Sequence, residues 1–68
     1  HMETVAAYLV KREDIEGIRF LEQKKLWSEP SLQKGMDVAA EGNRTESLSV
    51  LMDVRKELFP KKKKTFEL

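Results

Sequence analysis

Turn and stop residues divide this chain into four short segments, and this limits it to small helical architectures. Pro30 and the Gly42-Asn43 pair interrupt the middle of the chain, and Pro60 follows the last apolar stretch. Such residues are strong local signals that a helix or strand ends. The predicted segments are, approximately, Glu3–Lys11, Arg12–Trp27, Ser31–Glu41 and 44–59.

From these segments we predict an all-α fold, a small bundle of three or four short helices with a basic C-terminal tail. Residues 3–59 would form a single helical domain and residues 60–68 a flexible tail. The first segment has a second interpretation, because the apolar run Val5–Val10 could also form a buried strand. The fourth is the clearest helix. Asn43 can cap it, and Glu46 stands where the acidic residue of a capping box is expected.

The fourth segment is unusually apolar for a surface helix. At about 100° per residue, its apolar positions cover roughly 200° of the helical wheel, which is about twice the usual stripe. These positions are Leu48, Val50, Leu51, Met52, Val54, Leu58 and Phe59. Such a helix must pack on two sides, as the central helix of a bundle, which we favour, or as part of an oligomer interface.

Three residues are candidates for contact with a partner protein. Phe20 and Trp27 are seven positions apart and would share one face of the second helix, opposite its aliphatic stripe. Aromatic residues are enriched at the centres of interaction patches, but a core this small also needs most of its aromatic side chains. Arg55 falls within the apolar arc of the fourth helix, where it either reaches out to water or faces a carboxylate of a partner.

The strongest charge feature is the run of four lysines from Lys61 to Lys64. The chain carries 13 Lys+Arg and 12 Asp+Glu, so the remainder without this run has a net charge of 9 − 12 = −3. The run resembles a simple nuclear-import signal and also a nonspecific patch for nucleic acid or anionic lipid. The alternative is a solvated tail that complements the helix dipole. We therefore predict polyanion binding at Lys61, Lys62, Lys63 and Lys64, and the solvated tail stays open as the alternative.

Little in the sequence points to catalysis. The chain lacks cysteine, and its one histidine, His1, reads as a cloning remnant, so the serines have no base with which to form a catalytic triad. Carboxylate pairs such as Asp53 and Glu57 are expected on a solvated helix face in so highly charged a chain. We expect no enzyme activity, no cofactor and no bound metal. No apolar run approaches the roughly 18 residues of a membrane span.

The sequence leads to two function hypotheses. The first is a non-enzymatic protein–protein interaction module, that is, a small helical adaptor or regulatory domain. It could be a whole protein or a fragment of a larger one. Its partner would be another protein or a second copy of the chain. The second is a small DNA-binding regulator that uses helix 44–59 and the lysine run. The third and fourth segments have a helix-turn-helix outline, but Asp37 and Glu41 occupy positions that are normally apolar. An intracellular location is expected, and a nuclear one if the chain is eukaryotic.

Overall fold

The computed structural model describes residues 1–60, which form four α-helices and no strand. Their bounds are Met2–Lys11 (α1), Ile15–Gln23 (α2), Glu29–Glu41 (α3) and Thr45–Leu58 (α4). The predicted all-α bundle is confirmed, and the first segment is a helix. The predicted tail, residues 60–68, lies outside the described residues except for Pro60. Over residues 1–60, no helix combines the length and the apolar content needed to cross a bilayer.

The four helices form a closed ring rather than surrounding one of their number. α1 packs on α3 and α2, and α4 packs on α3 and α2. The prediction that the fourth helix is central is therefore wrong. Its apolar arc is only partly covered, since Leu51 and Val54 are fully buried whereas Met52 is 54% exposed.

Small residues on α3 allow its neighbours to approach closely. A Cβ atom built on Gly35 would lie 3.1 Å from Leu51 Cδ1 and 3.5 Å from Val10 Cγ2, so this position lies between α1 and α4. Packing around it completes one hydrophobic core. The buried apolar side chains are Ala6, Val10, Ile18, Trp27, Leu32, Ala39, Leu51 and Val54.

The α1–α2 and α3–α4 turns have the same backbone conformation. In each, the central residue adopts a left-handed conformation, with φ 50° at Glu13 and φ 56° at Asn43. The next residue donates its N–H back to the preceding helix, from Asp14 to Leu9 O (2.9 Å) and from Arg44 to Ala39 O (2.8 Å). These are Schellman motifs. The prediction that Gly42 and Asn43 end the third helix is confirmed.

The two turns differ in how they cap the helix that follows. Asp14 caps α2 through a hydrogen bond from Gly17 N to its Oδ1 (3.0 Å). The N-cap of α4 is Arg44, whose side chain makes no capping hydrogen bond. The predicted cap by Asn43 and Glu46 is therefore wrong, because Asn43 is used in the left-handed position that ends α3. The carboxylate of Glu13, from the other turn, takes the place of this cap by accepting hydrogen bonds from Ser47 N and Ser47 Oγ.

α3 begins earlier than the sequence pattern suggests. Ser28 is its N-cap, and Ser31 completes a capping box through hydrogen bonds from Ser31 N to Ser28 Oγ (3.2 Å) and from Ser28 N to Ser31 Oγ (2.9 Å). Pro30 lies within the first turn instead of breaking the chain. Proline is tolerated there because its missing N–H would have no intrahelical partner.

Candidate functional site: the α2–α3 connection

The connection between α2 and α3 turns sharply after Gln23. Lys25 takes a left-handed conformation with φ 57°, and Leu26 N donates to Leu21 O over 2.9 Å, which makes this the third Schellman motif of the fold. The second helix therefore stops short of the predicted end at Trp27. The helical face that was predicted to carry both Phe20 and Trp27 does not exist.

Trp27 fixes this connection to the core. Its side chain is only 4% exposed, and its indole Nε1 donates a hydrogen bond of 3.1 Å to the carbonyl oxygen of Ile18 in α2. Buried tryptophan usually finds such a partner. Among the predicted partner-binding residues, Trp27 is thus a core residue whose indole is held from inside the fold.

Phe20 and Leu26 remain largely outside the core. Phe20 is 53% exposed and Leu26 is 51% exposed, although each is a large apolar side chain. The Nζ of Lys24 lies 5.6 Å from the centroid of the Phe20 ring, a cation–π geometry. Two half-exposed apolar residues and two lysines therefore follow one another closely along the chain.

A groove of about 300 Å³ is lined by Lys25 and Trp27, which flank Leu26 in the chain. One wall comes from the connection, with Lys25 and the edge of Trp27, and the other from the end of α4. The α4 side consists of Glu57, Leu58 and Phe59. We call this groove, together with Phe20, Lys24 and Leu26, the connection surface.

Arg55 lies in a different place. It lines a groove of about 320 Å³ between α3 and α4, with Pro30, Gln33 and Met36 among its other walls. On α4, Asp53 is the residue that faces α2, because Arg19 Nη2 donates to its Oδ2 over 3.4 Å. Two residues further on, Arg55 points about 200° away. The structure thus does not bring together Arg55 and Phe20, both of which are predicted partner-binding residues.

The Arg19 side chain is held by carboxylates on two helices. Its Nη1 donates to Glu22 Oε1 over 2.8 Å within α2, beside the weaker contact with Asp53. The hydrogen bond to Glu22 raises the pKa of the Arg19 guanidinium. Glu22 thus forms its ion pair with Arg19 of the same helix and not with the lysines of the connection surface.

The charges of α4 and its N-cap balance. There are three positive residues and three negative ones, namely Arg44, Arg55 and Lys56 against Glu46, Asp53 and Glu57. A helix that binds DNA gains much of its affinity by neutralising phosphates, and α4 has no net positive charge for this. The lysines of the predicted polyanion site, 61–64, lie outside the described residues, so their role stays a prediction.

Comparisons with known proteins found no relatives of this chain. No protein-family model matches it, and neither a search of curated proteins nor one of solved structures gave a match.

Sequence reasoning missed Lys24, Lys25 and Leu26 as members of this surface. The predicted second segment, Arg12–Trp27, placed all three residues within a helix. The Lys-Lys pair suits the C-terminal end of this helix, but the predicted end lay at Trp27, two residues beyond the pair. A helix that ends at the pair leaves Leu26 in a turn and off the buried face.

Proposed function

We propose that this chain is a non-enzymatic protein–protein interaction module and that the connection surface is where it binds its partner. The observation that carries the proposal is the half-exposed pair Phe20 and Leu26 at a connection whose residues Lys25 and Trp27 also line a groove. Large apolar side chains grouped on a small domain, with polar groups around them, are characteristic of binding sites for other proteins.

The fixed geometry of the connection supports the same proposal. Trp27 is held by its hydrogen bond to Ile18 O, and the turn is closed by Leu26 N on Leu21 O. A partner would therefore meet a surface whose backbone is already ordered, which lowers the entropic cost of binding.

The test is selection of peptides from a random display library on the immobilised protein. We expect enriched peptides that bind the wild type and lose most of their binding to Phe20→Ser and to Leu26→Ser. Tyr8→Ser is the matched control. Tyr8 is 59% exposed and has the Arg12 guanidinium 5.2 Å from its ring centroid, but it lies on α1, so Tyr8→Ser should bind as the wild type does.

Two results would overturn the proposal. One is a selection in which no enriched peptide depends on Phe20 or Leu26. The other is a titration with duplex DNA in which the amide signals of α4 shift and the shifts persist at about 0.15 M salt, where exposed charges are well screened. That result would make nucleic acid the leading partner.

A further inference from the structure

We infer that the partner segment of the connection surface is an acidic peptide that carries at least one large apolar side chain. This inference rests on the proposed function and specifies its ligand. It follows from the charges around the surface, the nature of the groove and the charge balance of α4.

Two lysines belong to the connection surface. Lys24 lies over the Phe20 ring, and Lys25 lines the groove itself. The nearby Glu22 is engaged by Arg19 at 2.8 Å, so Glu57 is the one carboxylate among the groove residues. Opposite charges around an apolar centre guide association and select partners, and two lysines favour a peptide with carboxylates flanking its anchor.

The groove itself favours a peptide over a nucleic acid. Its apolar lining comes from Trp27, Leu58 and Phe59, and the half-exposed Leu26 precedes Trp27 in the chain. Its volume of about 300 Å³ is at the lower end of the range for ligand pockets. An apolar side chain gains from burial there. A phosphate backbone would gain nothing from Leu26 or Leu58.

The test takes the tightest-binding peptide from the selection above and two changed forms of it. In the first, every Asp and Glu is replaced by Asn and Gln; in the second, its largest apolar residue is replaced by Ser. We expect both to bind more weakly than the parent. The Lys24→Gln/Lys25→Gln double variant should weaken binding of the parent about five- to tenfold, as two exposed ion pairs would, and more salt should weaken it further.

Lys25→Gly separates binding from folding. Glycine adopts φ 57° without strain, so this variant keeps the turn and loses the charge. We expect weaker binding of the peptide with no loss of stability. Asn43→Gly also places glycine at a left-handed position, φ 56° in the α3–α4 turn, but it removes no charge and lies outside the connection surface. It should bind the peptide as the wild type does.

The outcomes distinguish the inference from the proposed function. If the tightest peptides bind equally well without their carboxylates, and the lysine variants bind them unchanged, the acidic partner is wrong while an interaction module stands. If no peptide depends on Phe20 or Leu26, both are overturned. If duplex DNA at about 0.15 M salt shifts the amide signals of the connection surface, the ligand is a nucleic acid and both are again overturned.

Discussion

Glu13 caps a helix that begins more than thirty residues after it. Its Oε2 accepts hydrogen bonds from Ser47 N (3.3 Å) and from Ser47 Oγ (3.2 Å), and the two residues are 34 positions apart. Ser47 is the third residue of α4, where a capping side chain normally accepts a hydrogen bond. The α1–α2 turn thus satisfies the N-terminus of α4, which Arg44 leaves without a side-chain cap, and ties the two helical hairpins together.

Replacing Glu13 should therefore destabilise the fold. We expect Glu13→Ala to lower the free energy of unfolding by about 1–2 kcal/mol, the usual cost of losing a cap, as measured by urea denaturation. Glu13→Gly loses the same carboxylate but accommodates φ 50° without strain, so it should destabilise less. Combining Glu13→Ala with Ser47→Ala should cost less than the sum of the two single changes. Wild-type stability in Glu13→Ala would show that the carboxylate does not cap α4.

How much of this could be read from the sequence differs from element to element. The helices were predictable because Pro60, Gly42 and the apolar periodicity are local signals. The cap by Glu13 was not, because it joins residues that only the packing of the two hairpins brings together. The end of α2 was misplaced because Leu26 and Trp27 continue a helical pattern, whereas the buried bond from the Trp27 indole to Ile18 O needs the chain to turn back.

The candidate site was predictable only in part. Phe20 is exposed, as a partner-binding residue must be. Trp27 and Arg55 were grouped with it by composition and by a helical wheel that extended past the true end of α2. For Arg55, which does lie within α4, a helical wheel gives the direction of the side chain but not which helix packs beside it, so it could not show that Arg55 lies in the groove between α3 and α4.

The left-handed residues give a stability prediction. A non-glycine residue in this region costs about 1–2 kcal/mol, and asparagine tolerates it better than most. Glycine also gives the unfolded chain more conformational entropy, which offsets part of this gain. Lys25→Gly should therefore stabilise the fold by about 0.5–1 kcal/mol. Asn43→Gly should stabilise it less. Lys24→Gly is the control, because φ is −84° there. Lys24→Gly should destabilise the fold. Urea denaturation measures the free energy of unfolding of both variants, and equal changes for Lys24→Gly and Lys25→Gly would contradict the left-handed conformation of Lys25.

Gly35 should tolerate one methyl group and nothing larger. In Gly35→Ala the gain in helix propensity, up to about 1 kcal/mol, opposes a Cβ contact of 3.1 Å with Leu51 Cδ1. The contact is with the end of a side chain that can shift, so we expect a change within about 0.5 kcal/mol of zero. Gly35→Val adds branched methyl groups between α1 and α4 and should cost about 1–3 kcal/mol by overpacking. Thermal unfolding followed by circular dichroism measures both, and a neutral Gly35→Val would mean that the helices are not in close contact here.

Trp27 provides the clearest separation of core from surface. Trp27→Phe keeps an aromatic ring but leaves the carbonyl of Ile18 without its 3.1 Å donor, which should cost about 1–3 kcal/mol. Trp27→Ala also creates a cavity and should cost about 3–5 kcal/mol, comparable to the roughly 3–5 kcal/mol that a core of this size supplies. Circular dichroism should then show Trp27→Ala largely unfolded and Trp27→Phe folded with a lower midpoint. Phe20→Ala removes an aromatic ring that is 53% exposed and should stay within about 0.5 kcal/mol of the wild type. A folded, stable Trp27→Ala would contradict the anchoring role of Trp27, because the α2–α3 connection would then hold without its indole.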